Sequence, residues 1–193
     1  MTKVGITGGI GSGKSLICKI LEQSNYPIYY SDNRAKELIA SNKDVQQEIV
    51  DLLGENAFVK GEYNRRFVAE QVFSNSKLLD GLNSIIRPRM EEDFTSFTKE
   101  NTSKIIFKES ALLFDTDEYK KLDATIYISS PKALRIERTL KRDTFRTKEE
   151  VENIIDKQIP ESKAVLLADY IIVNDEVESV LEQINEIEEI LLM

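Results

Sequence analysis

Short runs of consecutive apolar residues alternate with longer stretches in which apolar residues recur every three or four positions. That alternation predicts buried strands separated by helices. The strand runs are Val4-Gly5-Ile6-Thr7, Ile28-Tyr29-Tyr30, Lys104-Ile105-Ile106-Phe107, Ala124-Thr125-Ile126-Tyr127-Ile128 and Asp169-Tyr170-Ile171-Ile172-Val173. Between the first two, residues 14–23 predict a helix with Leu16, Ile17, Ile20 and Leu21 on its apolar stripe. Ser31-Asp32-Asn33 predicts a cap for a helix over 34–40, which leaves Asp32 at the carboxyl end of a strand. From Asp44 to about Lys99 the helical period continues without a strand, over 45–53, 67–73 and from 77 onward, broken at Arg87-Pro88. After the fourth strand, helices are predicted over 132–141 and 148–157, joined by the tip Asp143-Thr144-Phe145-Arg146-Thr147. A closing amphipathic helix over 176–192 uses Val177, Val180, Leu181, Ile184, Ile187 and Leu191. The pattern as a whole predicts an α/β fold of three layers, a five-stranded parallel sheet between helices. Its core takes residues 1–32, 101–137 and 160–193. An inserted helical segment covers about 33–100, and a helical lid about 138–159.

Composition narrows the chemistry. The 193 residues carry 26 lysines and arginines against 34 acidic residues, a net charge of −8, so a broad nucleic-acid-binding surface is not expected. Any phosphate must be met by local cations. With no histidine in the chain, imidazole acid–base catalysis and histidine-rich metal sites are excluded, and a proton acceptor is expected to be a carboxylate. The one cysteine, Cys18, is expected to be a small buried packing residue. No apolar run approaches the roughly 20 residues of a membrane span, and no leader is evident, so a cytoplasmic protein with no membrane partner is expected.

The first strand runs into Gly8-Gly9-Ile10-Gly11-Ser12-Gly13-Lys14-Ser15, which satisfies the G-x-x-x-x-G-K-[ST] spacing of a phosphate-binding loop, or P-loop, with a strand before it and a helix after. Glycines let backbone N–H groups turn toward phosphate oxygens, and the following helix adds its positive N-terminus. Lys14 suits the β- and γ-phosphates and the Ser15 hydroxyl suits Mg²⁺, which makes ATP and Mg²⁺ the expected co-substrate and ion. Asp32 is the candidate acceptor of a substrate hydroxyl proton, with a plain helix cap as the alternative. Glu109, ending the third strand, either orients Mg²⁺, contacts the acceptor, or is a strand-end charge. Leu112, Leu113 and Phe114 are either core or the wall of a bulky substrate. Arg135, Arg138 and Arg142 fall on one helical face, joined by Lys141 and Arg146, and read as lid cations placed over a transferring phosphoryl group. Arg65, Arg66, Arg87 and Arg89 in the insert are candidates for an anionic substrate.

Taken in order, these features resemble the dephospho-CoA kinase family. The resemblance rests on Thr7 to Ser15, Asp32, Arg65 with Val72-Phe73, Leu82-Asn83-Ser84-Ile85-Ile86-Arg87-Pro88, Leu112-Leu113-Phe114, Arg138 with Arg142-Asp143, Gln158, and Ala168 to Asn174. It implies transfer of the ATP γ-phosphoryl group to the 3′-hydroxyl of 3′-dephospho-CoA. It also implies catalytic roles for Lys14, Asp32, Arg138 and Arg142, nucleotide contacts from Gly8 to Leu16 and at Asn174, and a metal held by Ser15 and Glu109. Acceptor contacts are implied at Asp32, Arg65, Arg87 and Leu112 to Phe114. A monomer or small homo-oligomer is expected. The chain departs from the family pattern at Leu16, Arg87, Ala111, Asp115 and Ile154. The alternatives are another small-metabolite kinase, a GTP-dependent switch, and a DNA-stimulated ATPase. The switch would need an N-K-x-D sequence, which Asn174-Asp175-Glu176-Val177 does not supply.

Overall fold

The computed structural model describes residues 1–73 and 75–193, which divide into two compact units, residues 1–30 with 101–193 and residues 31–100. The first unit opens with strand β1 (Thr2–Gly8), helix α1 (Lys14–Gln23) and strand β2 (Ile28–Tyr30). Val4 and Ile6 are fully enclosed on one face of β1, and Ile17, Cys18 and Leu21 of α1 pack into the same cluster. The buried stripe of α1 is thus rotated from the expected one. Leu16, expected on it, is half exposed, and Cys18 takes its place in the core.

The second unit begins at the next residue. Helix α2 (Ser31–Ser41) starts at Ser31, so Asp32 lies in its first turn and is not a strand-end residue before a helix at 34. Helix α3 (Lys43–Leu53) is capped by the Asn42 side chain, which accepts from the N–H groups of Asp44 and Val45. A hairpin of strands β3 (Phe58–Val59) and β4 (Glu62–Tyr63) follows where no strand was expected. Two residues per strand are too few for a readable alternation. The turn between them is formed by Lys60 and Gly61, both at positive φ, as a two-residue hairpin turn requires.

Helix α4 (Arg65–Phe73) leads to α5 (Ser76–Glu100), which runs unbroken through Pro88. Pro88 removes the N–H that would bond the Ser84 carbonyl, but Ser84 and Pro88 are both exposed, so the lost bond falls on a solvent-facing side of the helix. Ile39, Val45, Ile49, Ala57, Val68, Leu82 and Ile85 give this unit a core of its own. Arg34 grips Asp93 through two bonds of 2.8 and 2.6 Å, tying α2 to α5, and Arg89 pairs with Glu48 of α3.

The chain returns to the first unit with β5 (Ile105–Glu109), β6 (Ala124–Ser129), α6 (Lys132–Arg142), α7 (Lys148–Lys157), α8 (Glu161–Leu167), β7 (Tyr170–Val173) and α9 (Val180–Leu192). The sheet is five-stranded and wholly parallel, in the order β2-β5-β1-β6-β7. β1 is therefore its middle strand, and the segments after β1, β5, β6 and β7 all leave the same carboxyl edge, where open α/β sheets bind ligands. The closing helix starts later than expected. Asp175 accepts from the N–H groups of Val177 and Glu178, and Glu176 has a φ of 71°, so residues 175–178 form a bend. Val177, expected on the apolar stripe, is consequently exposed. Among the described residues, no helix is long and apolar enough to cross a membrane.

Candidate active site

The loop between β1 and α1 is shaped from outside by two side chains and one helix. Arg135 of α6 lies against Gly9: a Cβ built there would sit 1.9 Å from the guanidinium Nη2. Gly11, at φ 75°, has the Arg135 carbonyl oxygen 2.2 Å from where its Cβ would be, and Gly13, at φ 99°, has Asn174 Nδ2 at 2.1 Å. Any side chain at these positions would force the loop away from α6 and β7, so the glycines answer to packing on the outer face as well as to phosphate.

Hydrogen bonds hold the same shape. Asn174, 6% exposed at the end of β7, donates from Nδ2 to the Ser12 carbonyl at 2.8 Å, and its own N–H bonds Ser129 at the end of β6. The Arg135 Nε donates to the Ile10 carbonyl at 3.0 Å. The Gln158 Oε1 accepts from the Ile10 N–H at 3.0 Å and from Arg135 Nη2 at 3.0 Å. Lys14 Nζ folds back across the loop to the carbonyls of Gly8 at 2.6 Å and Gly9 at 3.2 Å. A cation, a helix N-terminus and glycine backbone thus converge where the first N–H groups of α1 have no intrahelical acceptor. That arrangement fits a polyphosphate.

The other expected residues fall in different settings. Ser15 and Leu16 are exposed in the first turn of α1. Glu109 ends β5 in register with Ile6, one strand over from the loop. Both offer hard oxygen donors at the carboxyl edge, and no cluster of three acidic or sulfur ligands exists among the described residues. This donor set fits Mg²⁺, which is commonly bound by one or two protein oxygens together with substrate phosphates and water.

Arg138 donates to Ser130 Oγ at 3.0 Å, to the Asn174 carbonyl at 3.2 Å and to Glu176 at 3.1 Å, which places it at the end of β7. Arg142 is exposed at the end of α6 and grips Asp143 through bonds of 2.8 and 2.9 Å; this pairing holds the Asp143 carboxyl below the usual carboxylate range. Arg146 also reaches Asp143, at 3.3 Å, and lies over the exposed ring of Phe145. The tip between α6 and α7 is thus an ion cluster around one aspartate. Helix α7 begins with a capping box between Thr147 and Glu150.

Of Leu112, Leu113 and Phe114, only Leu112 is exposed. Leu113 is wholly enclosed and Phe114 nearly so, packed with Tyr127 and Ala164, which makes these two core rather than substrate wall. In the second unit, Asp32 is exposed in the first turn of α2 and Arg87 is exposed on α5. Arg65 rims a cavity of about 290 Å³ lined also by Lys36, Ile39, Ala40, Gly61, Glu62 and Tyr63. Burial pushes the Tyr63 phenol up, while nearby Arg65 acts to lower it. Cys18 is buried, and burial together with Glu109 and Glu22 pushes its thiol up to about 12, as a packing residue requires. The loop-holding role of Arg135 was hidden in sequence because its spacing with Arg138 and Arg142 reads as a single basic face. Its burial is what separates it from them.

A glycine cradle fed by the middle strand of a five-stranded parallel sheet flanked by helices defines the P-loop kinase class. Shikimate kinase from Bacteroides thetaiotaomicron shares this fold at a TM-score of 0.59, with 16% identity over 100% of this chain and 99% of that one. The particular family follows from closer matches. The family model of dephospho-CoA kinase matches residues 2–179. The dephospho-CoA kinase of Bacteroides fragilis is 33% identical over 186 residues, 96% of this chain and 90% of its own length. A Thermus thermophilus protein, TT1252, superposes with a TM-score of 0.86 at 27% identity, covering 99% of this chain and 96% of that one. The dephospho-CoA kinase from Campylobacter jejuni superposes with a TM-score of 0.68 at 26% identity, over 97% and 96%. The chain belongs to the dephospho-CoA kinase family, the ATP-dependent enzymes of the final step of CoA biosynthesis.

Proposed function

We propose that this member of the family seats the phosphoryl donor on residues 8–15 and carries acceptor-binding groups within residues 31–100. The observation that carries the reading is the braced loop: Lys14, the α1 N-terminus and glycine backbone converge in a concavity whose outer face is closed by Arg135 and Asn174. The acceptor half is supported by the second unit having its own core and a cavity flanked by two cations, Lys36 and Arg65, in a chain of net charge −8. Those cations suit the pyrophosphate of 3′-dephospho-CoA.

In the proposed reaction, Asp32 accepts the proton of the ribose 3′-hydroxyl as that oxygen bonds to the γ-phosphorus. The bond from the γ-phosphorus to the β–γ bridging oxygen breaks, and ADP leaves. Lys14 holds the β- and γ-phosphates, and Arg138 and Arg142 exchange their carboxylate partners for the charge on the transferring group. Ser15 and Glu109 would hold Mg²⁺, which supplies charge neutralisation at the phosphates. Exposed Leu112 is the apolar group for the acceptor's adenosine, and Asn174 supports the nucleotide seat from behind the loop. A reducing, cytoplasmic setting is consistent with the free Cys18.

The test is to incubate the protein with ATP, Mg²⁺ and a panel of hydroxyl acceptors, and to follow the gain of one phosphate by mass spectrometry. Rapid conversion of 3′-dephospho-CoA is expected. Conversion of a different acceptor with none of this one would overturn the assignment.

A further inference from the structure

The lid and the phosphate loop are joined through one residue's backbone. The Ile10 N–H donates to Gln158 Oε1, the Ile10 carbonyl accepts from Arg135 Nε, and Arg135 Nη2 donates to the same Gln158 Oε1, each at 3.0 Å. These three bonds close a ring containing both polar groups of Ile10. Both groups facing Gln158 are donors, so its oxygen must lie between them, and both lone pairs of that oxygen are used. Arg135 is 7% exposed, and a charge so enclosed is tolerated only when satisfied, which the ring achieves. Gln158 is also the residue that terminates α7.

Peptide planarity gives the ring a consequence for the loop interior. In a trans peptide the carbonyl and the following N–H point in opposite directions. Holding the Ile10 N–H toward Gln158 turns the Gly9 carbonyl the other way, where it accepts from Lys14 Nζ and from the Ser12 N–H. Holding the Ile10 carbonyl toward Arg135 turns the Gly11 N–H away from α6. Two side chains behind the loop therefore set where its lysine and one of its N–H donors stand.

We propose that Arg135 and Gln158 are positioning residues for the nucleotide: they orient the two peptides flanking Ile10, and through Gln158 they make that orientation depend on where α7 stands. The inference rests on residues 8–15 being the nucleotide seat, and concerns two residues whose side chains act on the backbone behind it. Gln158→Leu keeps the side-chain size and removes both accepted bonds, whereas Gln158→Glu keeps an oxygen acceptor for both donors. Because it removes both accepted bonds, Gln158→Leu is expected to weaken ATP binding about tenfold or more. The effect appears in the dissociation constant by calorimetry and in KM for ATP, while KM for the acceptor stays put. The Ile10 amide should exchange with solvent faster by a similar factor. Gln158→Glu should restore both to within about threefold of wild type.

An ATP dissociation constant for Gln158→Leu within twofold of wild type overturns the proposal, and so does a lowered melting temperature with unchanged affinity. Arg135→Lys, which cannot span both the carbonyl and Gln158, should behave as Gln158→Leu does. If it does not fold, the Gln158 pair decides alone. Lys14→Ala separates the two readings: wild-type ATP affinity in that variant would show that the seat itself is misplaced.

Discussion

Asn174 Nδ2 donates to the carbonyl of Ser12, 162 residues earlier in the chain and 2.8 Å away, and in doing so fills the space a side chain at Gly13 would need. The last strand of the sheet is thereby fastened to the loop that follows the middle one. Asn174→Asp keeps the shape but sets a carboxylate oxygen against a carbonyl oxygen. We expect a loss of about 1–3 kcal/mol in stability and a dissociation constant for ATP raised at least severalfold. Thermal melts and nucleotide titration check this, and an unchanged titration would separate Asn174 from the nucleotide seat.

Asp32 occupies the first turn of α2, two residues after Tyr30, where β2 ends. A carboxylate there also favours the helix N-terminus, so Asp32→Asn separates the two roles. As a proton acceptor its loss should lower kcat by about two to four orders of magnitude with ATP affinity retained. A helix-terminal role alone leaves kcat near wild type and takes a few tenths of a kcal/mol to about 1 kcal/mol from stability. Single-turnover phosphoryl transfer with bound ATP is the deciding measurement.

Arg142 is held by Asp143 and is exposed. Arg142→Ala should lower kcat by one order of magnitude or more, in the range found for removing one charge-stabilising donor, with little change in stability because the pair lies at the surface. Asp143→Asn should leave more of the arginine population unpaired and lower KM for ATP. Equal kinetics for Arg142→Ala and wild type would make the pair a surface contact.

Much of the fold was legible because its strands are short apolar runs and its helices carry amphipathic stripes. α1, β2 and α7 fall where the pattern places them. What escaped is what side-chain pattern does not encode. The β3–β4 hairpin depends on positive φ at Lys60 and Gly61, and α5 passes Pro88 because the lost bond is on a wet face. In the site, the glycine-lysine-serine spacing made the loop readable in sequence. The brace behind it was not, since Arg135, Gln158 and Asn174 come from three distant points of the chain and act on backbone atoms that have no residue type. Leu113 and Phe114 were ambiguous for the opposite reason, because an apolar run has the same composition whether it lines a pocket or fills a core.

Glu188 on α9 gives a prediction in pH. Its Oε1 is buried with no hydrogen-bond partner among the described residues, and it borders a small apolar cavity with Leu21, Phe107, Ile126, Ile172, Ile184 and Ile187. Burial pushes its carboxyl above the usual range, and the charged form in turn pushes the neighbouring Tyr26 phenol up, after that phenol's own burial. Folding therefore favours the protonated acid. The native state holds more protons than the unfolded chain between the ordinary carboxylate value, near 4.5, and the raised one, so this contribution is complete below that window and is lost as pH rises through it. Glu188→Gln removes the titration. At pH 8 it should raise Tm, and at pH 4, where the acid is protonated in both states, it should leave Tm unchanged. Melts of both proteins across pH 4–8 should converge at the acid end; a constant offset at every pH would place the effect in packing rather than in charge.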